Sequence, residues 1–144
     1  LYSSAASDVY KRQITVSSIY EISPFQNALV VVEMKGEDLL ELFGQMAAVH
    51  GEGLSGAKLV ISKDGKLLSA KVGGRNIESE KLYKVATIDY LAEGNDRLEA
   101  FKKAVNKTIP SDAILRDLFI DYVKRCEKQG KPVRAKIEGR IVEQ

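Results

Sequence analysis

Two tight-turn signals, Asp64-Gly65 and Gly73-Gly74, stand between short apolar stretches in the middle of this chain. A two-residue turn joins antiparallel strands, whereas a parallel pair needs a crossover of a dozen residues or more. Residues 58–62 and 67–72 therefore read as a hairpin, and Gly73-Gly74 turns the chain once more. Elsewhere the apolar period is helical. Leu39, Leu42, Phe43, Met46 and Val49 line one side of a helix over 36–49, with Glu37 and Asp38 in its first turn and Gly51 to stop it. Ile114, Leu115, Leu118, Phe119, Tyr122, Val123 and Cys126 mark a second helix over 111–126, with Gly130 and Pro132 at its exit. A short helix over 15–22 takes Thr15 as its N-cap and ends at Ser23-Pro24. Residues 98–105 predict another short helix. The β-branched run inside 27–34 predicts a strand covered on both faces, and 84–89 and 133–142 predict two more strands. Hairpins among mixed strands and helices favour an α+β fold, mixed sheets with helices packed on them, over a doubly wound parallel sheet.

The 144 residues suit one domain, large enough to remove roughly two-thirds of the unfolded surface from water. Residues 1–13, LYSSAASDVYKRQ, are small and polar and have no period that would bury a face. They lack the apolar core of a signal peptide and read as a non-native leader, of the kind left by adapter or cloning sequence. The domain is expected over 14–144. No stretch approaches the ~20 apolar residues of a membrane-spanning helix. Lys and Arg number 22 against 20 Asp and Glu, a net charge of +2, which lacks the excess a nucleic-acid binder usually carries.

Chemistry carried by the chain alone is sparse. There is one histidine, His50, and one cysteine, Cys126, so neither a zinc site nor a serine–histidine relay has its usual partners, and no internal disulfide exists. His50 reads as a surface or helix-capping residue and Cys126 as a core one. The glycine-rich stretch 50–56 is followed by no Gly-Lys-Ser/Thr and by no strong helix, so it reads as a connection rather than a phosphate loop. Two segments stand apart. Ser23-Pro24-Phe25-Gln26-Asn27 sets an aromatic in a proline-bent loop before a strand. Residues 89–96, DYLAEGND, leave a strand and enter a Gly94-Asn95-Asp96 turn. Core packing is the commoner use of such aromatics. Stacking on a planar base, with Asp96 accepting from ribose hydroxyls, is the other.

These segments resemble the C-terminal domain of the 5′-nucleotidase family. The likeness runs in order through residues 14–43 (ITVSSIYEISPFQNALVVVEMKGEDLLELF), 60–67 (VISKDGKL), 81–98 (KLYKVATIDYLAEGNDRL), 115–124 (LRDLFIDYVK) and 136–141 (KIEGRI). The resemblance implies a substrate-binding and specificity domain of a metallophosphoesterase that hydrolyses nucleotides to nucleoside and phosphate. Its metal-dependent chemistry belongs to a calcineurin-like domain with two divalent metal ions, in cis or on a separate chain, so no cofactor and no catalytic residue is expected here. The resemblance places Phe25 and Tyr90 as the two aromatics that clamp the base. Tyrosine stands where phenylalanine is usual and keeps the π face. Asp96 matches the ribose-holding acid, with Asn27, Gly94 and Asn95 as supporting loop residues. Asn95 replaces a commoner glycine and is expected to tolerate a left-handed backbone. Gln26 replaces another frequent glycine. The family's upstream Asn-Gly-Gly-x-Arg motif and phosphate-gripping arginines have no counterpart, which implies a domain incomplete at its N-terminus and hydrolytically inactive alone. The resemblance also points to a periplasmic or extracellular setting. Within it, a cyclic-nucleotide phosphodiesterase or a nucleotide-sugar hydrolase is an alternative. Outside it, the alternative is a non-catalytic ligand-binding or interaction module of the same fold.

Overall fold

The computed structural model describes residues 13–144; residues 1–12 of the expected leader lie outside the described residues. In chain order the elements are α1 (Val16–Ile22), β1 (Leu29–Lys35), α2 (Gly36–Ala48), β2 (Ala57–Ile61), β3 (Leu67–Val72), β4 (Arg75–Asn76), β5 (Leu82–Ile88), α3 (Asp89–Ala92), a 3₁₀ turn (Glu99–Lys103), β6 (Asn106–Thr108), α4 (Leu115–Lys128) and β7 (Ile141–Glu143). The chain is α+β, as its turns and periods indicate. Two compact units divide it. One takes residues 13–27 and 113–134, the other 28–112 and 135–144.

The first unit is a pair of helices. Thr15 caps α1, its hydroxyl accepting from the Ser18 amide at 3.1 Å, while Ser18 reaches back to the Thr15 amide. Ile19 is buried. α4 ends at Gly130, left-handed with φ 64, whose amide donates to Glu127 while that of Lys131 donates to Cys126, the paired closure that satisfies the last carbonyls of a helix. The start of α4 differs from expectation. Asp112 is itself left-handed, φ 59, so helical geometry begins only after it. The apolar stripe differs too. Leu115, Leu118 and Tyr122 stay exposed and Cys126 is half-buried, while the buried residue of α4 is Arg116.

The second unit holds both sheets. In the three-stranded sheet β1 lies between β5 and β6, antiparallel to each. Val30, Val32 and Met34 are completely buried, but Leu29, Val31, Glu33 and Lys35 are only partly covered. The expectation of a strand covered on both faces therefore holds on one face. The other carries two charges, Glu33 beside Lys84 at 3.6 Å and Lys35 beside Glu80 at 2.8 Å, which are paired laterally near water.

α2 opens without a side-chain cap. The Gly36 amide donates to the Lys81 carbonyl at 2.9 Å and that of Glu37 to Ser79 at 3.0 Å, so backbone from another loop satisfies its first donors. The approach is close enough that a Cβ at Gly36 would lie 2.0 Å from the Glu78 carbonyl oxygen. Leu39, Leu42, Phe43, Met46 and Ala47 then bury the inner face of α2. Val49, expected with them, is half-buried at the C-cap.

The second sheet runs β4-β3-β2-β7. Gly65, φ 76, turns β2 into β3, and Gly73 and Gly74, φ 55 and 78, turn β3 into β4, as the paired-turn signals require. β7 pairs with β2 in parallel, Leu59 opposite Ile141. The strand expected over 133–142 is reduced to Ile141–Glu143, which follows the left-handed Gly139, φ 60. A single core joins β1, α2 and β2 to Ala92, Leu98, Ala100 and Phe101 from the segment after β5.

Candidate functional site

The segment after β5 is a short excursion between buried anchors. Ala92 enters the core on one side and Leu98 on the other. Between them Gly94, Asp96 and Arg97 are left-handed, with φ of 83, 54 and 65. The expectation that Asn95 takes this conformation is corrected. Its role is side-chain bonding instead, since its Nδ2 donates to the Tyr90 carbonyl at 2.7 Å and ties the turn to α3. Gly94 suits its place because its backbone is left-handed, φ 83, a conformation that strains residues with a Cβ. Downstream, the Gln45 side chain of α2 accepts from the Ala100 amide at 2.9 Å and holds the start of the 3₁₀ turn.

Tyr90 lies in α3 rather than at a strand edge, and 47% of its surface remains exposed. Its hydroxyl donates to Asp96 Oδ1 at 3.1 Å. That bond, and the carboxylate's charge, raise the tyrosine pKa above its ordinary value of 10.0. The structure thus brings Tyr90, Asn95 and Asp96 into one hydrogen-bonded loop, with an aromatic face and a carboxylate side by side. The hydroxyl that distinguishes tyrosine from phenylalanine sets the carboxylate's orientation. Sequence spacing carries no sign of this bond, which depends on the left-handed turn between the two residues.

Phe25 belongs to the helical unit and is 73% exposed, so it is no core residue. Its loop is held by α4. The Leu115 amide donates to the Asn27 carbonyl at 2.9 Å, and Arg116 Nη1 makes a long bond of 3.4 Å to the Pro24 carbonyl. The Arg116 guanidinium lies 3.9 Å from the centre of the Tyr20 ring in α1. Sequence reading passed over Arg116, since no local pattern marks an arginine beside an apolar stripe as buried.

His50 is an exposed residue just past α2 with φ 59, its Nδ1 3.3 Å from Glu143 Oε2 of β7. Among the described residues, no three His, Cys, Asp or Glu side chains gather as a metal site, and no helix is long and apolar enough to cross a membrane. Two clefts of about 290 Å³ are open and charged, one lined by Arg75, Glu78, Lys81 and Tyr83 among others, the second by Asp121, Lys124, Arg125 and Lys128. Neither is lined by Phe25, Tyr90 or Asp96.

With this geometry in place, comparison with known proteins is decisive for the family. The family model of the 5′-nucleotidase C-terminal domain matches residues 2–103. This chain belongs to that family. It is 34% identical over 143 residues to the cell wall protein Lmo0130 of Listeria monocytogenes, covering 92% of this chain and 18% of that protein. It is 28% identical over 87 residues to protein UshA of Salmonella pullorum, covering 58% and 16%. The crystal structure of a 5′-nucleotidase precursor from Thermus thermophilus superposes with a TM-score of 0.76 at 27% identity, covering 90% of this chain and 28% of that one. The chain thus spans less than a third of each of these proteins.

Proposed function

We propose that this domain is the substrate-binding and specificity part of a 5′-nucleotidase-like phosphoester hydrolase, and that Phe25 and Tyr90 stack on the base of a nucleotide while Asp96 accepts from its ribose hydroxyls. The observation that carries the reading is the Tyr90–Asp96 pair. It sets an exposed aromatic face and an oriented carboxylate on one turn, anchored on both sides in the core. A planar base offers a surface to the ring and a ribose offers donors to the acid. Membership of the family supports the same assignment, and so does the exposure of Phe25.

Hydrolysis itself is assigned to a calcineurin-like domain with two divalent ions, in cis or on another chain. The contribution of this chain is orientation: a substrate held near attack geometry gains several kcal/mol over one that must be ordered at the moment of reaction. The chain by itself is expected to release no phosphate from AMP with divalent metal present, and robust turnover by the purified chain would refute that.

The deciding experiment is calorimetric titration of adenosine and AMP into the full chain, alongside Phe25→Ala and Tyr90→Ala. Binding that both substitutions weaken supports the two-aromatic reading. Absence of binding by a folded chain overturns it and leaves an interaction module of the same fold. Tighter binding of AMP than of adenosine would add a phosphate contact within this chain.

A further inference from the structure

We propose that Arg116 is the positioning residue for Phe25, holding the 23–27 loop so that the ring is presented ready for stacking. The inference rests on the reading of Phe25 as a base-stacking residue.

Arg116 is the buried charged residue of the described chain, with 6% of its surface exposed. Burial of a guanidinium is unfavourable unless something compensates it. Among the described residues, no carboxylate pairs with it, and its Nε is buried without a hydrogen-bond partner. Its compensation comes from two neutral groups, the face of Tyr20 at 3.9 Å and the carbonyl of Pro24 at 3.4 Å. Both lie just upstream of Phe25. One position before Arg116 in α4, the Leu115 amide grips the Asn27 carbonyl downstream of Phe25. The first two residues of α4 therefore hold the loop on both sides of the aromatic. Phe25, exposed and with nothing polar to orient it, depends on its backbone for direction. A loop backbone fixed beforehand need not be ordered when a ligand arrives, which leaves only the ring's rotamer to settle.

The chain contains no tryptophan, so Phe25→Trp installs a single indole reporter. In the full chain carrying that substitution, adenosine should quench the indole saturably. Adding Arg116→Met, which keeps the aliphatic stem but removes the guanidinium, should lower the indole's anisotropy without ligand and raise the apparent Kd for adenosine about fivefold, the scale of ordering one side chain on binding. Arg116→Lys should recover part of both, because it keeps the charge and loses the planar stack. Far-UV circular dichroism checks that the helices persist; if Arg116→Met unfolds, Arg116→Lys is read by the same two signals. Unchanged anisotropy and unchanged affinity in a folded variant overturn the proposal. Increased mobility with no adenosine quenching in the presence of Arg116 supports the positioning role and overturns the stacking reading, so the two failures are distinct.

Discussion

Phe25 and Tyr90 both leave an aromatic ring in solvent, yet the loops that carry them are built differently. The Tyr90 loop is fixed from within. Its backbone passes between Ala92 and Leu98 in the core, Asn95 bonds back to the Tyr90 carbonyl, and the phenol is tied to Asp96. The Phe25 loop is fixed from outside, by the N-terminal residues of α4 acting on two backbone carbonyls. In the first case the side chain itself is oriented by a hydrogen bond. In the second only the backbone is oriented, and the ring keeps its rotamer freedom. The two exposed aromatics are thus unequal: a hydrogen bond holds the side chain of Tyr90, and none holds that of Phe25.

The largest effects should come from removing the anchors. Leu98→Ala and Ile19→Ala each delete a fully buried side chain and should each lower stability by about 3 kcal/mol in denaturant unfolding. Their consequences should separate. Amide exchange around residues 94–97 should accelerate in Leu98→Ala, and that of Leu115 in Ile19→Ala. If either substitution loosens both regions equally, the contrast between the loops is lost.

Next in size are the rings. Phe25→Ala and Tyr90→Ala should each weaken adenosine binding by about 1–3 kcal/mol, the usual worth of a base–aromatic stack. Tyr90→Phe sharpens the comparison further. It keeps the stack and removes the bond to Asp96, which should cost about 1 kcal/mol in adenosine affinity by titration. An effect as large as that of Tyr90→Ala would mean that the hydroxyl, not the ring, is the important group.

The smallest expected signal is a titration. Tyr90 should lose its proton above the ordinary tyrosine value, because its hydroxyl donates to Asp96 and the carboxylate's charge opposes a phenolate. The folded-state value is raised, so the associated stability is fully present below the unfolded value and is lost as pH rises through the folded one. Asp96→Asn should move the Tyr90 midpoint downward, as followed by ultraviolet difference absorbance. No movement would mean that the bond is not maintained in solution, and the Tyr90 ring would then be as free as that of Phe25.

The elements legible in the sequence were those made by local chemistry. Asp64-Gly65 and Gly73-Gly74 turn where such pairs should, Thr15 caps α1, and the acids of α2 stand in its first turn. The features that escaped are set at a distance. The burial of Arg116 depends on Tyr20 and Pro24, far away in sequence. β7 finds a parallel partner in β2 across roughly half the chain. The helical period of α4 extends further back than the helix does, because one left-handed aspartate overrides it. For the candidate site, Phe25, Tyr90 and Asp96 can be named from the sequence as candidates, but the bond between Tyr90 and Asp96 cannot be read there. Left-handed geometry suits Asp96 but runs against the preference of Arg97, in a loop held between Ala92 and Leu98 in the core.

The division of the chain into two interleaved units has a consequence for its synthesis. Neither unit is a contiguous stretch: α1 emerges from the ribosome long before α4, and β2 long before β7. At ordinary translation rates β2 waits on the order of ten seconds for its parallel neighbour. Throughout that interval one side of β2 is an open hydrogen-bonding edge, the kind of surface on which nascent chains associate wrongly. Lys58 within that strand and Lys63 just beyond it put charge along the exposed edge, a guard that matters most before the molecule is complete.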